Sequence, residues 1–137
     1  MSIVVPSAGA RDALDAMLAE LHPWTHLYVT DVTLGPDTTK DDLTEASWPD
    51  YVPMRATGWA PAVTVGGLAV ADADPILWVR GDGGDPAQVY GYFVTDTKDG
   101  PLVWAERRPQ GPVAMIEPTD QVLLLPRLTL REDPEPG

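Results

Sequence analysis

The sequence predicts a mostly β protein: a single antiparallel β-sandwich or compact barrel of about seven or eight strands, preceded by one N-terminal helix. Three observations predict it. Fifteen prolines and twelve glycines among 137 residues interrupt helices and ladders alike, so extended segments must be short and sharply joined. Only one stretch carries apolar residues at helical spacing, and after it β-branched and aromatic runs alternate with turn residues. The length, with 44% hydrophobic and 22% charged residues, suits one globular domain. The expected division is an arm and helix at 1–24, a β-domain at 25–130 and a flexible acidic tail at 131–137.

Ser7 reads as an N-cap, with Leu14, Met17, Leu18 and Leu21 following at three- and four-residue spacing. This predicts a helix over 8–21, stopped by Pro23, whose apolar stripe covers a sheet or meets a neighbouring subunit. From Thr25 the period changes. Leu27, Val29 and Val32 sit among Tyr28, Thr30 and Asp31 in a strand that ends at Gly35-Pro36. Residues 37–51 are polar and read as an ordered loop with a single turn near 41–46. Short extended runs follow at 54–59, 62–65, 68–71 and 76–80, and residues 81–86, Gly-Asp-Gly-Gly-Asp-Pro, form a loop.

The strongest local signal is a hairpin. Residues 89–97 and 102–107 are strand-like, and Lys98-Asp99-Gly100 supplies residues that tolerate the positive φ of a tight turn. Strict alternation would put Leu102, Trp104 and Glu106 on one face and Val103, Ala105 and Arg107 on the other. Residues 109–112 turn the chain, 113–116 form another short strand, and 123–130 form a last one with a bulge or bend at Pro126.

Charge and composition exclude several classes. Twenty-one acidic residues against nine basic ones give a net charge of −12, which repels phosphate backbones and anionic lipid heads, so neither nucleic acid nor a membrane is an expected partner. Residues 1–6 have no basic region before their apolar residues, and the stretch 56–71 is too short and too broken by Gly and Pro to span a bilayer. With no cysteine, thiolate catalysis and thiolate metal sites are excluded.

Side-chain chemistry offers little foothold. His22 and His26 have the spacing of two imidazoles on one helix face, but Pro23 breaks such a helix and no Glu follows the first His, so the pair reads as a surface linker. Asp72 with Asp74, and Asp82 with Asp85, lack the run of acids and closing Glu of a calcium loop, and turn chemistry alone selects such residues. Ser2, Ser7 and Ser47 stand in no nucleophile elbow. No catalytic residue, cofactor or metal is therefore assigned, and an enzyme is not expected. Trp78 and Trp104 read as core. Trp48 and Tyr51, in a polar loop, are the candidate contact surface; with Leu14 and Leu18 of the helix they are the expected partner-contact residues.

The run Val89-Tyr90-Gly91-Tyr92-Phe93-Val94-Thr95-Asp96, then Asp99-Gly100, Leu102, Trp104-Ala105-Glu106-Arg107, and later Gln121-Val122-Leu123 with Pro126 and Leu128, resembles small structural proteins encoded by tailed bacteriophages and prophage-like gene clusters. Upstream, Leu27-Tyr28, Pro36, Thr38-Thr39, Asp42-Leu43-Thr44-Glu45-Ala46, Trp48 and Tyr51 fit the opening of the same pattern. The resemblance covers roughly 27–130. It departs at Asp50, where the pattern has Gly, and does not include the helix. It implies a virion component without a catalytic motif, made in the host bacterial cytoplasm. The expected role is a capsid decoration or minor capsid protein on the outside of the head, bound to the major capsid protein or other virion proteins as a homo-oligomer. A tail, neck or baseplate component, or a host receptor- or carbohydrate-binding β-module, is the alternative.

Overall fold

The computed structural model describes residues 7–131. The first six residues and residues 132–137 of the tail expected at 131–137 lie outside the described residues, while Arg131 ends the last strand. In chain order the elements are α1 (Ser7–Glu20), β1 (Trp24–Tyr28), β2 (Met54–Arg55), β3 (Val63–Val65), β4 (Leu68–Asp72), β5 (Ile76–Val79), β6 (Ala87–Val89), β7 (Gly91–Thr95), β8 (Leu102–Arg107), β9 (Val113–Met115), β10 (Gln121–Leu124) and β11 (Arg127–Arg131). The protein is mostly β with one N-terminal helix, as expected. The strands form four antiparallel sheets with linear orders β2-β1-β7-β8, β10-β5, β11-β4-β3 and β6-β9. None of them closes on itself, which corrects the expectation of a compact barrel. Among the described residues eleven strands replace the expected seven or eight, in part because Tyr90 and Pro126 each divide a run in two. No helix among the described residues is long and apolar enough to cross a membrane.

The described residues fold into two compact units, one drawn from residues 7–22, 56–75 and 125–131, the other from 23–55 and 76–124. In the first, α1 covers the sheet β11-β4-β3. Ala10, Leu14 and Leu18, one every fourth residue, are buried against Ala62, Ala69 and Ala71, with Trp59, Leu128 and Leu130 packed around them. The two alanines of β4 leave room for the helix backbone to come close. The apolar stripe is narrower than the sequence predicts, since Met17 is exposed. The helix begins at Ser7 itself, so its capping position falls outside the described residues. β3 and β4 meet directly, Val65 opposite Leu68, through Gly66 and Gly67, both at positive φ. That two-residue turn matches the twist of paired strands only with such backbone angles.

In the second unit β1 and β7 pair along their whole length, from Trp24 opposite Thr95 to Tyr28 opposite Gly91. All five residues of β7 are buried. The expected hairpin is present, β7 pairing with β8, but its register slips between Val94 and Thr95. Val94 faces Trp104 while Thr95 faces Leu102, so Val103 is the extra residue of a bulge. A bulge reverses the pleat beyond it. Leu102 therefore packs with Ala105, Phe93 and Tyr28, and not on the face of Trp104 and Glu106 as strict alternation predicts. Lys98, Asp99 and Gly100 are not among the residues at positive φ; the turn is six residues long and closes through Gly100 N–H donating to Thr97 O at 3.0 Å.

Gly91 is a strand glycine with a steric reason. A Cβ there would collide with the Glu106 carbonyl oxygen and lie 2.6 Å from the Tyr28 hydroxyl and 2.7 Å from its ring. Tyr28, its cross-strand partner, fills the side-chain space that Gly91 leaves. Gly91→Ala is expected to destabilise the protein by about 2–3 kcal/mol, because backbone on one side and a buried ring on the other leave nowhere to relax. A urea midpoint within experimental error of the unsubstituted protein would contradict this.

Candidate functional site

The expected contact residues are mostly interior. Leu14 and Leu18 belong to the core under α1, which selects the sheet-covering role of the stripe in this chain. Trp48 is not the exposed ring that its polar neighbours suggested. It is 4% exposed and meets Tyr51 edge to face, ring centroids 5.2 Å apart. The loop folds back on the sheet beside β1, with Ala46 N–H donating to Leu27 O and Val29 N–H to Thr44 O, so a ring in a polar stretch ends up inside. Before it, a 3₁₀ turn at Lys40–Asp42 is closed by Thr39 and Asp42, the ordered loop that the sequence predicts.

Tyr51 leads to a cluster that residue types alone did not reveal. His26, on β1, is buried and is not a surface linker. Its Nδ1 lies 2.7 Å from Glu45 Oε2 and its Nε2 lies 2.9 Å from Thr95 Oγ1. Its ring stacks on Phe93, centroids 4.6 Å apart and planes 3° from parallel. Glu45 Oε2 also accepts from the Tyr51 hydroxyl at 2.6 Å, and Leu27 N–H donates to that hydroxyl at 3.1 Å. Thr95 Oγ1 donates to Thr97 O at 2.5 Å. Both ring nitrogens of His26 thus have a partner, Nδ1 the Glu45 carboxyl and Nε2 the Thr95 hydroxyl.

The surroundings agree with that pairing. Burial pulls the Glu45 carboxyl upward, but hydrogen bonds from His26 and Tyr51 outweigh it and leave its pKa below the ordinary value. Burial, then the hydrogen bond to Glu45, hold the Tyr51 phenol well above its ordinary value. A carboxylate, an imidazole and a hydroxyl in series form the relay of acyl-transfer enzymes. Such a relay needs its hydroxyl at a surface with the hydrogen directed to the base. Thr95 is fully buried and donates elsewhere, so in this conformation the series works as a latch between the 45–51 loop and the paired strands β1 and β7. The available signal was a histidine inside a strand-like run, Trp24-Thr25-His26-Leu27-Tyr28, whose last four residues are all buried, so both faces of the strand are covered and alternation does not mark the histidine as interior.

A second buried polar side chain organises the 81–86 loop. Arg80 is buried. Its Nη2 donates to Gly83 O at 2.7 Å and Gly84 O at 3.1 Å, and its Nε to Ile116 O at 3.2 Å. Carbonyls that a calcium ion would seek are turned to a guanidinium instead, beside Asp82 and Asp85. Among the described residues no group of three or more His, Asp or Glu side chains is placed to hold a metal ion.

Two strand faces expose apolar side chains, one in each unit. On the β5-β10 ribbon Leu77 and Leu123 stand opposite each other, 45% and 59% exposed, with Val79 at 42% beside them; Ile76, Trp78 and Val122 fill the buried face. In the first unit Val63, Val65 and Leu68 of the β3-β4 hairpin are exposed. Comparison with protein families, curated proteins and solved structures finds no match to this chain.

Proposed function

We propose that this chain is a structural component of a bacteriophage particle, a capsid decoration protein seated on the outside of the head and bound to the major capsid protein and to further copies of itself. The observation that carries this reading is the uncharged face of the β5-β10 ribbon. In a protein with net charge −12, Leu77, Val79, Gln121 and Leu123 share one outward face without a single charge. An uncharged apolar face set in a charged surface is what a neighbouring protein covers. Its area is small, and on a symmetric shell it need not be large, because many copies and several contacts act together. The sandwich arrangement expected from the sequence, the homo-oligomer and the virion location all belong to this proposal. So does the absence of a catalytic role, supported by the sealed Thr95 hydroxyl.

Particles purified from the phage or prophage that encodes the chain are expected to contain it by mass spectrometry, and a reconstruction is expected to place hundreds of copies on the head. Six, twelve or a few copies would move it to the tail, neck or baseplate. Its absence from the particle would end the proposal. The carbohydrate-binding alternative relied on Trp48 and Tyr51 as a stacking platform, and the burial of Trp48 gives it no support.

A further inference from the structure

In the first unit, α1 and the segment after β2 border an open surface groove of ≈ 320 Å³ lined by Asp15, Leu18, Ala19, Trp59, Ala60 and Pro61. We infer that this groove is a binding site for an alkylammonium side chain, a lysine presented by a neighbouring protein. The inference does not depend on the phage reading.

The lining sets the chemistry. Asp15 uses Oδ1 to accept from Ala62 N–H at 2.9 Å, which fixes the carboxylate against the loop and leaves Oδ2 without a partner among the described residues. Arg11, the cation one turn earlier on α1, is directed to the Thr64 hydroxyl. Asp12 and Glu20 add negative charge to the same helix. A carboxylate in the lining favours a cation by charge, and the indole of the same lining offers a π surface for a cation that enters the groove. With one oxygen already committed, Asp15 suits a point-charge ammonium better than a guanidinium, which prefers two free oxygens. The apolar walls, Leu18, Ala19, Trp59 and Pro61, match a four-carbon stem that carries its charge at one end. The overall charge of −12 draws basic partners toward every part of this surface, and the groove adds a specific seat.

The test follows the assigned Trp59 indole N–H resonance of the full chain during titration with three probes: N-acetyl-lysine methylamide, its uncharged isostere N-acetyl-norleucine methylamide, and n-butylammonium. The lysine probe is expected to bind saturably, about five- to tenfold more tightly than the norleucine probe, and no more weakly than n-butylammonium. Asp15→Asn keeps an oxygen for Ala62 N–H while removing the charge, and should erase the preference for lysine without altering the rest of the spectrum. Asp12→Asn should retain the preference. Equal binding of lysine and norleucine, no saturable shift, or a preference that survives Asp15→Asn would overturn the inference. Tighter binding of n-butylammonium would also overturn it, by making the groove a site for free amines.

Discussion

His26→Ala is expected to lower the stability of the protein by about 3 kcal/mol, because it removes a buried ring that has a hydrogen-bond partner at each nitrogen. The variant leaves Thr95 Oγ1 and Glu45 Oε2 each short of a hydrogen-bond partner and removes the ring stacked on Phe93. Denaturation in urea measures the loss, and a change below about 1 kcal/mol would show that the cluster is no latch. Glu45→Gln separates charge from packing. The folded-state pKa of Glu45 lies below its ordinary value, so its contribution is fully present above the ordinary carboxyl range and is lost as pH falls through the folded value. The stability gap between the unsubstituted protein and Glu45→Gln should therefore narrow steadily as pH falls through the ordinary carboxyl range and on through the lowered folded value. A gap independent of pH would refute the ionic account.

Leu14→Ala is expected to cost about 3 kcal/mol in the isolated protein, because a fully buried side chain is removed from a core that closes only in part over the cavity. The outcome discriminates between two roles for the helix stripe. A residue reserved for a partner would be nearly neutral in the free chain and matter only in an assembly. A residue that fastens α1 to β4 and β11 shows its full effect in the free chain. Met17→Ala, on the exposed side of the same helix, is the matched control and should change stability by less than about 0.5 kcal/mol. Equal losses at both positions would mean that α1 is held otherwise than through the Leu14 and Leu18 face.

Local rules were enough wherever one segment carried its own instructions. The apolar spacing through Leu14 and Leu18, stopped near Pro23, defines α1 to within a residue or so at each end. The strand-like runs 89–97 and 102–107 define the hairpin, though its turn is longer and takes none of the positive φ expected at Lys98-Asp99-Gly100, and the glycines and aspartates of 81–86 define a loop. Patterns failed where a second segment intervened. The Val103 bulge answers to the partner strand, and it exchanged the face of Leu102. Trp48 was misplaced because the polarity of its neighbours says nothing about a loop that folds back over β1. Pro126 was read as a bend within one strand, whereas the residues on its two sides pair with different strands, β5 and β4.

Composition and periodicity determined the secondary-structure class, the single helix and the acidic surface, since these depend on backbone preferences and solvation that each residue carries with it. Tertiary structure alone decided that His26, Glu45, Tyr51 and Thr95 would meet, 69 residues separating His26 from Thr95, and that Asp15 and Trp59 would line one groove. Hydrogen bonds and packing of that kind act over a few ångströms between groups distant in the chain. No local preference encodes them until the strands have taken their register.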